Sequence, residues 1–467
     1  MEKFIFDHIL SFLPFAPNDG QQALLRQLAQ FLLSSARRKA FLLKGYAGTG
    51  KTSVIAALVK AMQAMEMPCV LLAPTGRAAK VMSHYAGIPA FTIHRWIYRA
   101  TSSVDPTGAR FSVADNKLRN TLFIVDEAGM VGHSRDNVFG TGSLLDDLIR
   151  FVYTPQDNSL GNGNALLLLG DDAQLPPVGQ DASPALEPDV LLQYDLTLTT
   201  ASLTQVARQA LDSTVLQNAT NIRQNNRVTL TEGRDLHLLS PANFQETLEQ
   251  AYRQTGMAET IILTRSNRRT NLYNQGIRAS VLFREDLLNA GDRLMVSRNN
   301  YFWANDYQDI PFLANGDTME VTRLRNEREM YGFRFVDASL RLLDYEYELD
   351  ATLWLDTLTT DTPEDNLALQ RTLYQRVAED WPEVKNKREL NELVRQSPYY
   401  QALQVRFAYA VTCHKAQGGQ WDTVFIDPGH TLEEVYADSS FLRWTYTALT
   451  RAKQTVFWLH FPKQSEQ

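Results

Sequence analysis

Residues 41–59 read FLLKGYAGTGKTSVIAALV: an apolar run, a glycine-rich turn, and a second apolar run. Within them Gly45-Tyr46-Ala47-Gly48-Thr49-Gly50-Lys51-Thr52 fits G-x-x-x-x-G-K-[ST], after a strand-like segment and before a helical one. The glycines let the backbone turn its N–H groups toward phosphate oxygens, and the N-terminus of the following helix adds a favourable dipole. In that geometry Lys51 reaches the β and γ phosphates and Thr52 ligates Mg2+, with Ser53 next in the nucleotide-binding set. Such a loop belongs to an α/β fold, and the rest of the chain can be sorted around it.

Three more apolar runs in the first 200 residues, PCVLLAPT, TLFIVDE and NALLLLGD, are separated by helical segments. Their continuity indicates buried strands of a parallel sheet covered on both faces. The texture changes near Gly291, where GDRLMVSRNNYFW, TMEVTRLRN and YGFRFVDASLRLLDYEYELD alternate in the manner of antiparallel strands. Polar helical stretches follow at 363–379 and 385–396, their charges forming solvated faces. The α/β texture resumes at RFAYAVTCHKAQG and TVFIDPG and ends at QTVFWLHF. The expected organisation is therefore a first α/β domain over 1–200, a second over 201–290 and 405–467, and a β-rich insertion over 291–404.

With 467 residues the chain exceeds one ordinary core, and 44% hydrophobic with 21% charged residues suits a globular protein. A net charge of −7 argues against nonspecific coating of nucleic acid, which rests on Lys and Arg, but leaves room for a local basic groove. Cys69 and Cys413 stand far apart in contexts of a buried strand and a motif, so a cytoplasmic setting without disulfides is expected. MEKFIFDHILSFLPFAP, interrupted by Asp7 and His8 and lacking a small-residue cleavage site, reads as a short docking helix and not as a signal peptide. No apolar run approaches the length of a membrane span.

The run TLFIVDE delivers Asp126 and Glu127, one carboxylate to hold magnesium and one to polarise the attacking water. NALLLLGD leads to Gln174, which Pro176-Pro177 stiffen from behind, an amide suited to reporting a γ phosphate. These residues indicate NTP hydrolysis and leave open what it drives.

The ordered series NDGQQALL, GYAGTGKT, LLAPTGRAAK, TIHRWI, VDEAGM, GDDAQLPPVG, LTQVARQ, HKAQGGQWDTVFID and YTALTRAK resembles the superfamily 1 helicases, most closely the branch of RecD and Dda. It spans Asn18 to Lys453. The resemblance implies two RecA-like P-loop domains, ATP with Mg2+ as cofactors, and 5′ to 3′ movement on single-stranded DNA with duplex unwinding. By resemblance Gln21 recognises adenine, Asp126 ligates magnesium with Thr52, Glu127 is the base, and Gln174 senses the γ phosphate. Arg208 and Arg451 match two arginines that reach that phosphate from the second domain, and Gly418 matches a loop lining the same cleft. Gly129 departs from the pattern, which has Ser there.

Nucleic acid is expected at Pro74, Thr75, Thr92 and His94 from the first domain, and at Thr412, His414, Lys415 and Asn267 from the second. Arg265, Arg268 and Arg269 are further sources of backbone charge, and Trp96 and Tyr98 read equally well as stacking faces or as core. An insertion at about 95–119, with the turn signal DPTG, matches the hairpin that splits duplex in the resembled helicases. The β-rich segment matches their SH3-like domain, with NGD at its usual turn. A duplex junction, replication or repair proteins and a monomeric state complete the expectation. DNA and RNA are not distinguished by stacking and backbone contacts.

Overall fold

The computed structural model describes residues 1–100, 111–133, 140–154, 162–206, 212–304, 312–345, 347–429 and 433–459. Eighteen strands occur among them, in three sheets and a small ribbon. The first sheet is built from β1 (Lys39–Gly45), β2 (Cys69–Ala73) and β3 (Ala90–Thr92); β4 (Tyr98–Ala100) and β5 (Phe111–Val113) then form the ribbon. β6 (Leu122–Val125), β7 (Ala165–Gly170) and β8 (Thr197–Leu203) complete the first sheet. Its order is β3-β2-β6-β7-β1-β8, with every pairing parallel.

The apolar runs follow from burial on both faces. Leu42, Leu72, Phe123, Val125, Leu166 and Leu168 point into one core, while Phe41, Leu43, Leu71, Ile124, Leu167 and Leu169 point into the other. The N-terminal helix Glu2–Ser11 packs Ile5 and Ile9 into the second of these cores, as its apolar spacing suggested. β8 carries the sheet to Leu203, three residues beyond the expected boundary at 200.

The second sheet takes β9 (Leu236–Leu239) and β10 (Thr260–Thr264) before the insertion, which contains β11 (Arg293–Val296), β12 (Thr318–Met330), β13 (Phe333–Leu342), β14 (Glu348–Trp354) and β15 (Leu403–Phe407). It resumes with β16 (Ala410–Thr412), β17 (Trp421–Asp427) and β18 (Ala452–Leu459), giving the parallel order β16-β10-β17-β18-β9. β11 to β15 form a closed barrel. Closure comes from β15, which pairs antiparallel with β11 and parallel with β14, so the barrel runs to Phe407 and not to 404.

β12 and β13 extend as a long ribbon. Phe333 and Phe335 of β13 and Trp354 of β14 meet Leu373, Val377 and Val394 from the helices Pro363–Ala378 and Lys387–Gln396. The charged helices thus have one solvated face and one that closes a small core. Cys69 and Cys413 are both free thiols. Among the described residues no helix is long and apolar enough to cross a membrane.

Candidate nucleotide and nucleic-acid sites

The phosphate loop joins β1 to the helix Lys51–Ala64 at the carboxyl edge of the sheet, where ligands of parallel α/β folds are received. Gly48 and Gly50 adopt φ of +74° and +83°, which a side chain would strain. Lys51 Nζ donates to the carbonyls of Gly45 and, at 3.0 Å, Tyr46. Thr52 and Asp126 line one recess, with Ser53 half-buried in the same first turn.

Gln21, only 1% exposed, braces this loop from behind. Its Nε2 donates to the Thr49 carbonyl at 3.0 Å, while its Oε1 accepts the Asn18 N–H at 3.1 Å in a capping box. Both ends of the amide are engaged within the fold, and a β-carbon on Gly50 would lie 2.6 Å from Nε2. The side chain thus supports the loop, and the amide keeps a second N–H and a second lone pair for the base contact that the resemblance implies.

β6 ends at Val125 and delivers Asp126 and Glu127 beside the loop. Glu127 takes a left-handed φ of +50° and donates its N–H to Asp126 Oδ1 at 2.8 Å. Burial, reinforced by the charge of Glu127, raises the Asp126 carboxyl to about 6, against the pull of Lys51 and Arg451. A cation beside Asp126 would relieve that strain on its charge, and a hydroxyl with one or two carboxylates is the donor set that magnesium takes with phosphates.

Arg451 crosses from the second sheet. It is 2% exposed, its guanidinium held by the carbonyls of Thr447 at 3.1 Å and Gly419 at 3.3 Å, and lies 3.8 Å from Glu127 Oε1. Gly418 packs against Thr75 and Ala78, where its β-carbon would approach within 3.0 Å and 2.9 Å; it borders the first domain's channel wall, one residue from the Arg451 carbonyl partner. Arg208 lies outside the described residues. The backbone N–H of Gln174 donates to the Asp171 carbonyl at 3.3 Å.

Several residues that sequence reasoning passed over complete this junction. Tyr446 donates to Asp171 Oδ2 at 2.7 Å and accepts the Ala47 N–H of the phosphate loop at 2.9 Å. Burial raises the Asp171 carboxyl, with Lys51 and the Tyr446 hydroxyl opposing. Leu175 donates its N–H to Thr447 Oγ1 at 2.8 Å and accepts from Gln417 Nε2 at 2.6 Å, binding the Gln174 loop to the second domain. Arg223 lies over the Tyr46 ring, 3.4 Å from its centroid. One signal was available: Asp171 ends an apolar strand as Asp126 does.

A channel of about 1320 Å³ runs alongside, between both sheets and the barrel. Pro74, Thr75, Thr92 and His94 line it from the first domain, and Asn267, Thr412, His414 and Lys415 from the second. Thr75 Oγ1 caps the helix Gly76–Ala86 by accepting the Ala78 N–H at 3.2 Å, and Ser266 caps Asn267–Gly276, so two helix N-termini open toward the channel. Burial lowers His414 and, with help from Arg406, lowers Lys415 to about 8; Lys415 Nζ donates to Asn315 of the barrel.

Arg265 and Arg268 also line the channel, but Arg269 is held in an ion pair with buried Asp427 and is not a source of free charge there. Tyr98 belongs to the core, 2% exposed and donating to Asp147 Oδ2 at 2.8 Å, while Trp96 is half-buried and packs against that core with its ring tilted on Phe91 at 4.8 Å. The ribbon of β4 and β5 stands where the hairpin was expected, its Phe111 ring 5.1 Å from Tyr301 and 5.9 Å from Phe312 of the insertion. The DPTG turn lies outside the described residues.

The family model for an "AAA domain" matches residues 16–141, and that for a "UvrD-like helicase C-terminal domain" matches residues 407–458. The ATP-dependent RecD2 DNA helicase of Deinococcus radiodurans is 30% identical over 203 residues, covering 44% of this chain and 24% of that protein. The chain thus spans about a quarter of that relative's length. Uncharacterized protein R530 of Acanthamoeba polyphaga mimivirus is 21% identical, over 88% of this chain and 93% of that protein. Among solved structures, Pif1 helicase from Candida albicans covers 96% of this chain and 95% of that one at 16% identity, with a TM-score of 0.47. The matched models at the two ends and the RecD2 match bear out the resemblance to superfamily 1 helicases of the RecD type.

Proposed function

We propose that this chain is an ATP-driven helicase that moves 5′ to 3′ along single-stranded DNA and opens duplex ahead of it. One observation carries the reading: Glu127 and Arg451 face each other across the two sheets at 3.8 Å, and a channel lined from both sheets adjoins that contact. A nucleotide held between the domains would therefore be sensitive to whatever occupies the channel.

In this reading the loop amides and Lys51 bind the β and γ phosphates. Thr52 and Asp126 hold Mg2+, which neutralises phosphate charge when bound. Glu127 orients a water and takes its proton as the oxygen attacks the γ phosphorus in line and the bond to the β–γ bridging oxygen breaks, leaving ADP and phosphate. Arg451, with Arg208, offers positive charge to the transition state only while the domains are closed. Gln174, whose loop is tied to the second domain through Thr447 and Gln417, is suited to reporting the γ phosphate.

Closure moves the second domain's grip, at Asn267, Thr412, His414 and Lys415, toward the first domain's, at Pro74, Thr75, Thr92 and His94. Alternating grip with each turnover moves the strand. DNA as substrate is supported by the RecD2 relative, an ATP-dependent DNA helicase, and the direction by likeness to that branch.

Partial duplexes bearing a 5′ or a 3′ single-stranded tail, of DNA or RNA, test the reading. ATP-dependent separation of the 5′-tailed DNA substrate is expected. Separation only from a 3′ tail would overturn the direction, preference for RNA tails would overturn the substrate, and separation of none would overturn the motor.

A further inference from the structure

Arg77 stands where three parts of the fold meet, and none of the motif roles above uses its side chain. Its helix, Gly76–Ala86, belongs to the first domain. Its guanidinium donates to the Gln420 carbonyl at 2.9 Å and lies 4.1 Å over the ring of Trp421, both in the second domain. From the barrel, Asp344 pulls on its charge against the cost of burial. The same turn of the barrel presses on the helix start: a β-carbon on Gly76 would lie 2.6 Å from the Tyr345 hydroxyl, and Lys80 Nζ donates to the Leu343 carbonyl at 2.6 Å.

The segment that Arg77 grips is the one that holds Arg451. The Trp421 N–H donates to the Arg451 carbonyl at 2.9 Å, and the Gly419 carbonyl accepts from Arg451 Nη1 at 3.3 Å. Packing there leaves no slack, because a β-carbon on Gly419 would lie 2.5 Å from Trp421 Cη2 and 3.0 Å from Arg77 Cδ. Arg77, Gly419 and Trp421 also form part of the channel wall. An unbroken path of contacts thus joins the channel to the arginine that faces Glu127.

We propose that Arg77 is a positioning residue, which by stacking on Trp421 and bonding Gln420 sets the placement of Arg451 and transmits occupancy of the channel to the nucleotide site. The proposal rests on the motor reading. It depends on a planar, delocalised cation that stacks and donates in fixed directions, and lysine supplies the charge without the plane.

The test compares full-length wild type with Arg77→Lys in three measurements: ATP turnover with saturating oligothymidylate, affinity for that strand by fluorescence anisotropy, and stoichiometry of a fluorescent ATP analogue. The stoichiometry counts folded sites. The variant should lose about tenfold or more in kcat per nucleotide site, with KM for ATP and strand Kd within about threefold of wild type. A phosphate contact would tolerate lysine, itself a good phosphate binder. Wild-type turnover in Arg77→Lys therefore overturns the proposal, as does a strand affinity lowered about tenfold with saturating turnover retained. Turnover lost only in proportion to nucleotide sites means a structural role and overturns it too. If wild type itself is not stimulated by the strand, the motor reading fails and the relay falls with it.

Discussion

Asp126 bears the sharpest conflict between stability and function at the scale of a single residue. Its carboxyl is raised to about 6 by burial and by Glu127, above its ordinary unfolded value, so the folded state holds the proton more tightly. Its contribution to stability is full in acid and is lost as pH rises through that folded value, unless a cation takes over the charge. Asp126→Asn should accordingly raise the thermal midpoint of the nucleotide-free chain by about 2–4 °C at slightly alkaline pH, with the difference closing in acid, while ATP turnover disappears. Equal midpoints at alkaline pH would contradict the conflict. Asp126, Lys51 and Thr52 were legible in the sequence because their chemistry fixes their spacing from strand ends. Tyr446 and Asp171 were not legible as a pair, being 275 positions apart and joined only when two domains fold against each other. Gln21 was plain from its motif, and its capping and loop-bracing bonds, which the motif did not show, are local to the fold.

The helix Ser439–Leu449 is the element on which the cleft turns, since Arg451 follows its C-cap Thr450 and Tyr446 pins it to the phosphate loop. Removing the pin without changing the ring, in Tyr446→Phe, deprives buried Asp171 of a donor at a cost of about 1–2 kcal/mol. If closure carries the catalytic arginine into place, kcat should drop by about tenfold with the strand bound, while binding of ATP to the loop is nearly kept. Undiminished kcat would show that the helix docks without Tyr446. The strands beneath were readable for a physical reason: a parallel sheet covered on both faces needs continuous apolar runs, and β1, β2, β6 and β7 are such runs. Alternation alone showed the barrel as β-rich, and only the resemblance to an SH3-like domain pointed to a barrel, because β14 and β15 pair only at Leu353 with Leu403 and Trp354 with Gln404, across two intervening helices. Alternation along β12 and β13 carries no trace of that pairing.

For the whole molecule, two parallel sheets, a barrel and a channel are arranged so that the channel wall at Gly419 holds the arginine that faces Glu127. The chain's overall charge of −7 conceals this, since the contacts expected to hold the strand are capped helix starts, a few cations and aromatic rings, not a basic coat. A motor built this way should hydrolyse ATP slowly alone and faster when a strand holds the domains in register, with Arg451 as the residue that makes the difference. The most direct measurement is ATP turnover against oligothymidylate concentration for wild type and Arg451→Ala, with nucleotide binding followed in parallel. Wild-type turnover should climb to a plateau at least about tenfold above its basal rate, and Arg451→Ala should bind nucleotide yet stay low and flat at every strand concentration. A wild-type rate indifferent to the strand, or an Arg451→Ala rate that climbs as wild type does, would contradict the account.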